Sequence, residues 1–131
     1  MEKNKYNSWL LDGKEFDRVL IERIEDVDNI LKIKFKSETD KNGKMFELIF
    51  DPYVAFRNMN ESYRARTFAE KGGFKTSFFI VENSSWVTWL HEESLGYYAD
   101  DELIHYAIIT GADCFDVISE FPPEVNLLAA T

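Results

Sequence analysis

From Leu31 to Lys36 the chain reads Leu-Lys-Ile-Lys-Phe-Lys, and Phe46, Leu48 and Phe50 repeat the same alternation. A period of two places successive side chains on opposite faces of an extended strand. Both stretches therefore predict strands with one face on a core, and Lys32, Lys34 and Lys36 put a lysine face in water. Between them lies Asp40-Lys41-Asn42-Gly43, and Asn-Gly flanked by alternating hydrophobics is the strongest short-range hairpin signal. Phe16 to Glu25 (FDRVLIERIE) alternates as well, and Asp28-Asn29 marks a tight turn after it. Together these segments predict an antiparallel meander.

The flanking chain is less regular. Residues 1–15 read as a polar lead-in, with Trp9, Leu10 and Leu11 as an anchor and Asp12-Gly13 as a turn. Asp51-Pro52 ends the strand before it, because proline cannot donate to a ladder. Tyr53 to Glu61 leaves a loop, a short strand and a helical turn open. Tyr63 to Glu70 reads as a strand, Gly72-Gly73 as a turn, and Phe74 to Glu82 as a strand rich in aromatic and β-branched residues. The period then changes. Ser84 or Ser85 can cap a helix, Trp86, Trp89 and Leu90 follow at helical spacing, and Leu95-Gly96 stops it, which predicts a helix over Ser85 to Ser94. Leu103 to Thr110 is apolar on both faces and predicts a central strand. Cys114 to Ser119 pairs back after Gly111-Ala112, Phe121-Pro122-Pro123 ends the sheet, and Glu124 to Thr131 reads as a loose tail. The expected fold is α+β in one domain over residues 1–131: an antiparallel twisted sheet of about six or seven strands with one short helix packed on it.

Charge divides the chain more sharply than structure does. Residues 76–131 hold ten Asp or Glu and no Lys or Arg, whereas residues 1–75 hold fifteen Lys or Arg and fourteen Asp or Glu; net charges of −10 and +1 give the −9 of the whole. This balance argues against nucleic acid or an anionic membrane surface as partner and suits a basic protein. The bland alternative is that −9 keeps a small protein soluble. No apolar run approaches the roughly 20 residues of a membrane span, and Met1 to Phe16 has no apolar signal region, so a cytoplasmic protein is expected. A single cysteine excludes an internal disulfide framework.

Little in the sequence supports catalysis. Cys114 beside Phe115 reads as a buried, inert thiol. His91, His105 and Cys114 match no zinc spacing, and neither a glycine-rich nucleotide loop nor a GxSxG elbow occurs, so no metal and no cofactor is expected. His105 shares a strand face with Leu103, Ala107 and Ile109, which favours a satisfied core imidazole over a ligand contact. Tyr53, Arg57, Tyr63, Arg64 and Arg66 combine aromatic and guanidinium groups; with His105 and Tyr106, the set Tyr53, Arg57, Arg64 and His105 forms the alternative reading, a small-molecule or enzyme pocket. Trp86 and Trp89 share a helix face and read first as core packing. Glu92, Glu93, Tyr97, Tyr98, Asp100, Asp101, Glu102, Asp113 and Asp116 form the candidate partner surface, with no cation near them in sequence.

The stretch NSSWVTWLHEESLGYY, followed by LIHYAIITGADCFDVIS and PPEV, resembles small bacterial immunity proteins encoded beside polymorphic or contact-dependent toxins. The resemblance spans roughly Phe79 to Val125 and rests on an HYxIxT strand, a DVIS strand and a following proline. It implies a non-enzymatic inhibitor of a cognate toxin. Acidic members of that set often face basic nuclease toxins, so the resemblance implies a partner for which carboxylates can stand in for phosphates.

Overall fold

The alternation at Leu31, Ile33 and Phe35 becomes burial: all three are inaccessible to solvent, while Lys32, Lys34 and Lys36 are half-exposed on the other face. The computed structural model describes residues 4–11, 13, 16–38 and 43–128. In chain order it contains β1 (Lys5–Ser8), β2 (Val19–Val27), β3 (Ile30–Ser37), β4 (Met45–Phe50), β5 (Ala55–Asn60), a 3-10 turn (Glu61–Arg64), α1 (Ala65–Lys71), β6 (Phe78–Glu82), α2 (Ser85–Glu93), β7 (Ile104–Ile109), β8 (Asp113–Ser119) and β9 (Glu124–Leu128). The protein is therefore α+β and antiparallel, but its strands form two sheets rather than one. One has the order β2-β3-β4-β9 and the other β1-β6-β7-β8-β5.

The four-stranded sheet grows from the predicted meander. Asp28 and Asn29 take positive φ of 53° and 64°, the backbone a two-residue hairpin between β2 and β3 requires. β3 and β4 pair with Phe35 opposite Phe46 and Ile33 opposite Leu48. Asp40 to Asn42 of the predicted Asn-Gly turn, and Asp12 of the Asp12-Gly13 turn, lie outside the described residues. β9 then adds to β4 with Val125 opposite Leu48, so residues 124–128 of the expected loose tail are a paired edge strand. Phe121-Pro122-Pro123 does end β8, yet it also carries the chain from one sheet to the other.

The two sheets face each other. Phe35 and Phe78, one from each sheet, have ring centroids 5.1 Å apart, and Phe50 and Tyr106 meet at 5.3 Å. The buried cluster around them includes Leu31, Ile33, Leu48, Ile108, Phe115 and Val117. Burying one such side chain contributes roughly 1.5–3 kcal/mol, so this interface accounts for most of what holds the layers together. On the outer face of the four-stranded sheet, charges of the N-terminal half meet in pairs: Lys36 lies 2.9 Å from Glu22 and Arg23 2.7 Å from Glu25.

The five-stranded sheet is covered on its far side as well. There Phe79, Val81, Ala107, Ile109 and Cys114 form a second cluster, capped by Phe68 of α1, by Phe74 and by Tyr6. Tyr63 to Glu70, expected as a strand, is helical instead. Asn60 accepts a hydrogen bond from the Ser62 N–H at its start, Glu70 meets Arg66 one turn on, and Gly72 closes it with φ 77° and an N–H donated to the Phe68 carbonyl. Tyr53 to Glu61, left open by the sequence, contains β5, and the polar lead-in contains β1. α2 starts one residue after its cap Ser84, as the Ser-Ser signal predicts.

Candidate functional site

Strand register brings the polar groups of the outer face together. Arg57 on β5 stands opposite Asp116 on β8, and His105 on β7 lies diagonally across from Asp116, all on the face that the helices cover. The Asp116 side chain is 0% exposed. Its Oδ1 accepts the His105 Nε2–H at 2.7 Å, and its Oδ2 accepts Arg64 Nη1–H at 2.8 Å and Arg57 Nε–H at 3.1 Å. Burial alone would raise this carboxyl; the His105 hydrogen bond and the surrounding charges, those of Arg57 and Arg64 among them, outweigh it and hold the group at about 2.

An ionised carboxylate only accepts, so His105 carries its proton on Nε2. In the neutral ring Nδ1 is then left to accept the Ser84 hydroxyl, 2.7 Å away. Ser84 Oγ also accepts the Val87 N–H at 3.1 Å, the capping bond of α2. Trp86 closes the cluster from above: its ring lies edge-on to His105 at 5.3 Å, and the Arg57 guanidinium sits 4.3 Å from the Trp86 centroid. Arg64 reaches on to the Tyr6 hydroxyl at 3.3 Å. Burial raises the Tyr6 phenol, with Asp116 adding to it, and burial pushes the Cys114 thiol up to about 11 despite nearby Arg64.

Ser84, His105 and Asp116 are the residue types of an acyl-transfer triad in hydrogen-bonded sequence. Their partners give the set a different task. Both Asp116 oxygens are already occupied, Oδ1 by His105 and Oδ2 by two guanidiniums. Ser84 Oγ is held by a helix N–H, and His105 is 1% exposed. The arrangement fastens β5, the 3-10 turn, β7, β8 and α2 to one another. Removing the Ser84 hydroxyl in Ser84→Ala is expected to cost about 1–2 kcal/mol, the loss of a cap together with one buried hydrogen bond. Urea unfolding measures the total, and amide exchange should place the loosening in α2; unchanged protection there would refute the fastening role.

Of the alternative pocket, Arg57, Arg64 and His105 thus converge, but on a carboxylate rather than around a hollow. Tyr53 stands apart: its hydroxyl donates to Asp26 at 2.7 Å, a bond that raises the phenol, and its ring packs on Phe56. The acidic set also divides. Glu92, Glu93, Tyr97, Tyr98, Asp100, Asp101 and Glu102 occupy one continuous stretch from the last turn of α2 to the start of β7. Asp113 sits beyond the opposite end of β7, beside Asn58 and Arg23, and Asp116 is the buried hub just described. Both residues are corrections to the candidate surface. A count of acids cannot separate a buried carboxylate from an exposed one.

The surface so defined is apolar as well as acidic. Leu95 is 94% exposed and Tyr97 81%, and Tyr98, Trp89 and Phe121 are about half-exposed nearby. Trp86 is packed as expected, whereas Trp89 is not. Leu95 also holds a positive φ of 55°, a region that costs a bulky side chain of order 1–3 kcal/mol. Glu92, Glu93, Asp100, Asp101 and Glu102 form no ion pair with any described residue, in contrast to the paired charges of the other sheet. Among the described residues no group of three or more His, Cys, Asp or Glu side chains is placed to hold a metal ion, and no helix is long and apolar enough to cross a membrane. Compared with protein-family models, curated proteins and solved structures, the chain matches none of them.

Proposed function

We propose that this chain is a non-enzymatic protein-binding domain, and within that class a bacterial immunity protein that neutralises a basic toxin in the cytoplasm. The observation that carries the reading is the exposed run from Trp89 to Glu102. There a nearly fully exposed leucine and two exposed tyrosines are interleaved with unpaired carboxylates. Exposed aromatic anchors supply contact area at an interface, and unpaired acids of one sign steer an oppositely charged partner to it. Left free, the same surface costs self-repulsion and exposed apolar area.

The competing reading, an enzyme at His105, draws on the same buried cluster. The side-chain polar atoms of Ser84, His105 and Asp116 each already have an internal partner there, which favours a role in holding the face rather than in chemistry.

The test is a binding titration against the protein encoded beside this one, at low and at high salt. The expected result is a basic partner bound tightly at low salt and weakened as salt screens the carboxylates. Absence of binding at both salts, with both proteins folded, would overturn the proposal.

A further inference from the structure

On one flank of α2 lies a hollow of about 340 Å³, within the ordinary range of ligand pockets. Val54, Leu90 and Leu103 give it apolar lining, Tyr98 an aromatic ring, and Asp101 and Glu120 its carboxylates. No lysine, arginine or histidine contributes to its lining. Leu90, Ser94, Tyr98 and Asp101 of its lining belong to the same stretch that exposes Leu95 and Tyr97. We propose that this hollow is a receptor for one arginine side chain of the protein partner. The inference rests on the protein-binding reading and names the chemistry by which that face would recognise its partner.

Each part of an arginine finds its complement here. The three-carbon stem needs apolar surface, which Val54, Leu90 and Leu103 offer. The guanidinium is planar and weakly hydrated; it stacks on aromatic rings and pairs with carboxylates through a fork of donors. Tyr98, Asp101 and Glu120 supply both. A lysine would use the charge but neither the plane nor the fork. The protein applies the same recognition internally, where Arg57 lies on the Trp86 ring at 4.3 Å while donating to Asp116 at 3.1 Å. The internal site is closed by its own arginine, and the hollow is open.

The probe is N-acetyl-arginine amide, followed by methyl NMR of Val54, Leu90 and Leu103, with the lysine and citrulline amides as comparisons. Citrulline keeps the shape and plane of arginine without its charge. The expected result is saturable shifts confined to those methyls, in the millimolar range usual for one side chain, and binding at least about tenfold weaker for citrulline. Tyr98→Ala and the pair Asp101→Asn and Glu120→Gln should each weaken it. The pair Glu93→Gln and Asp100→Asn, which removes the same charge outside the hollow, should not. Tyr98 and Glu120 are solvent-exposed, so these variants are expected to fold. Equal binding of citrulline or lysine, shifts spread over the whole acidic face, or indifference to the hollow variants would each overturn the assignment. The two readings fail separately: a salt-sensitive partner without arginine binding rejects the hollow alone, whereas arginine binding without any partner rejects the immunity reading alone.

Discussion

Asp116→Ala is expected to destabilise the protein by about 3–5 kcal/mol, the usual effect of removing one partner from a buried ion pair. The loss is large because of what remains behind. The Arg64 side chain is only 10% exposed and His105 is buried, so neither can turn to water for a substitute partner; Arg57, at 36%, has a partial escape. A domain of ordinary stability, roughly 5–15 kcal/mol, would be brought near its limit. Chemical unfolding measures the total. Amide exchange should show α2 and residues 61–71 opening first, because both are fastened to the sheet through this carboxylate. The double variant Arg64→Met with Asp116→Leu should recover only part of the loss: it removes the buried Arg64 charge but leaves the His105 Nε2–H without its acceptor. A loss below about 1 kcal/mol in Asp116→Ala would mean that the guanidiniums reach water and that the cluster does not fasten the helices.

The same carboxylate sets an acid limit. Its folded value of about 2 lies below the ordinary 3.8, so its contribution is complete above 3.8 and is lost as pH falls through about 2. The size is about 2 kcal/mol, from the usual 1.36 kcal/mol per unit. Asp116→Asn, which cannot titrate, should lack this part of the acid-unfolding slope. An unchanged slope would assign it to other carboxylates.

Asp116 also shows where reading the sequence stops. In the chain it is one acid among ten in an anionic stretch, and its partner Arg57 is 59 residues away. Only the register of β5 on β8 brings them together, and nothing local in either segment encodes it. Alternation at Leu31, Ile33 and Phe35 says which side is inside, but not which sheet lies opposite. The division into two sheets was therefore hidden while the antiparallel class was legible. β1 and β9 have four and five residues and owe their structure to pairing with β6 and β4 rather than to their own pattern. Residues 65–71 carry weak alternation and good helix formers at once. The 3-10 turn before it, started at Asn60, and the left-handed cap at Gly72 frame the helix, and Gly72 reads in sequence only as a turn. Ser84 was legible as a cap, because capping is local, but not as the partner of His105, because that contact is tertiary. The exposed face fared better. Its acids follow one another in sequence, so composition found the stretch, although Leu95 read only as a helix stop and Phe121 only as part of the chain end of a strand.

Reversing Glu92, Glu93 and Glu102 to lysine is expected to slow association with a basic partner by about 10–1,000-fold at low salt, the range over which steering acts. Three reversals change the net charge from −9 to −3 and take the stretch from Glu92 to Glu102 from five acids to three lysines and two acids, from −5 to +1. The three side chains are exposed and form no ion pair with a described residue, so folding loses no contact. Folding should in fact gain. Glu92 and Glu93 lie in the last turn of α2, where the helix dipole disfavours negative charge, and lysine there is favourable by about 0.3–1 kcal/mol. The variant should thus be slightly more stable and a much poorer binder. A merely structural role for these residues cannot produce that divergence. Stopped-flow association at low and at high salt separates the causes, because the Debye length shrinks to about 3 Å at 1 M and steering disappears. A rate deficit that closes at high salt would show that the carboxylates act at long range. If the deficit persists there, or appears in dissociation alone, the acids make direct contacts and the steering account is wrong. Natural selection for folding alone would not keep two glutamates at the end of α2 where lysines serve it better, and that conflict between stability and charge is the strongest reason to expect a partner at this face.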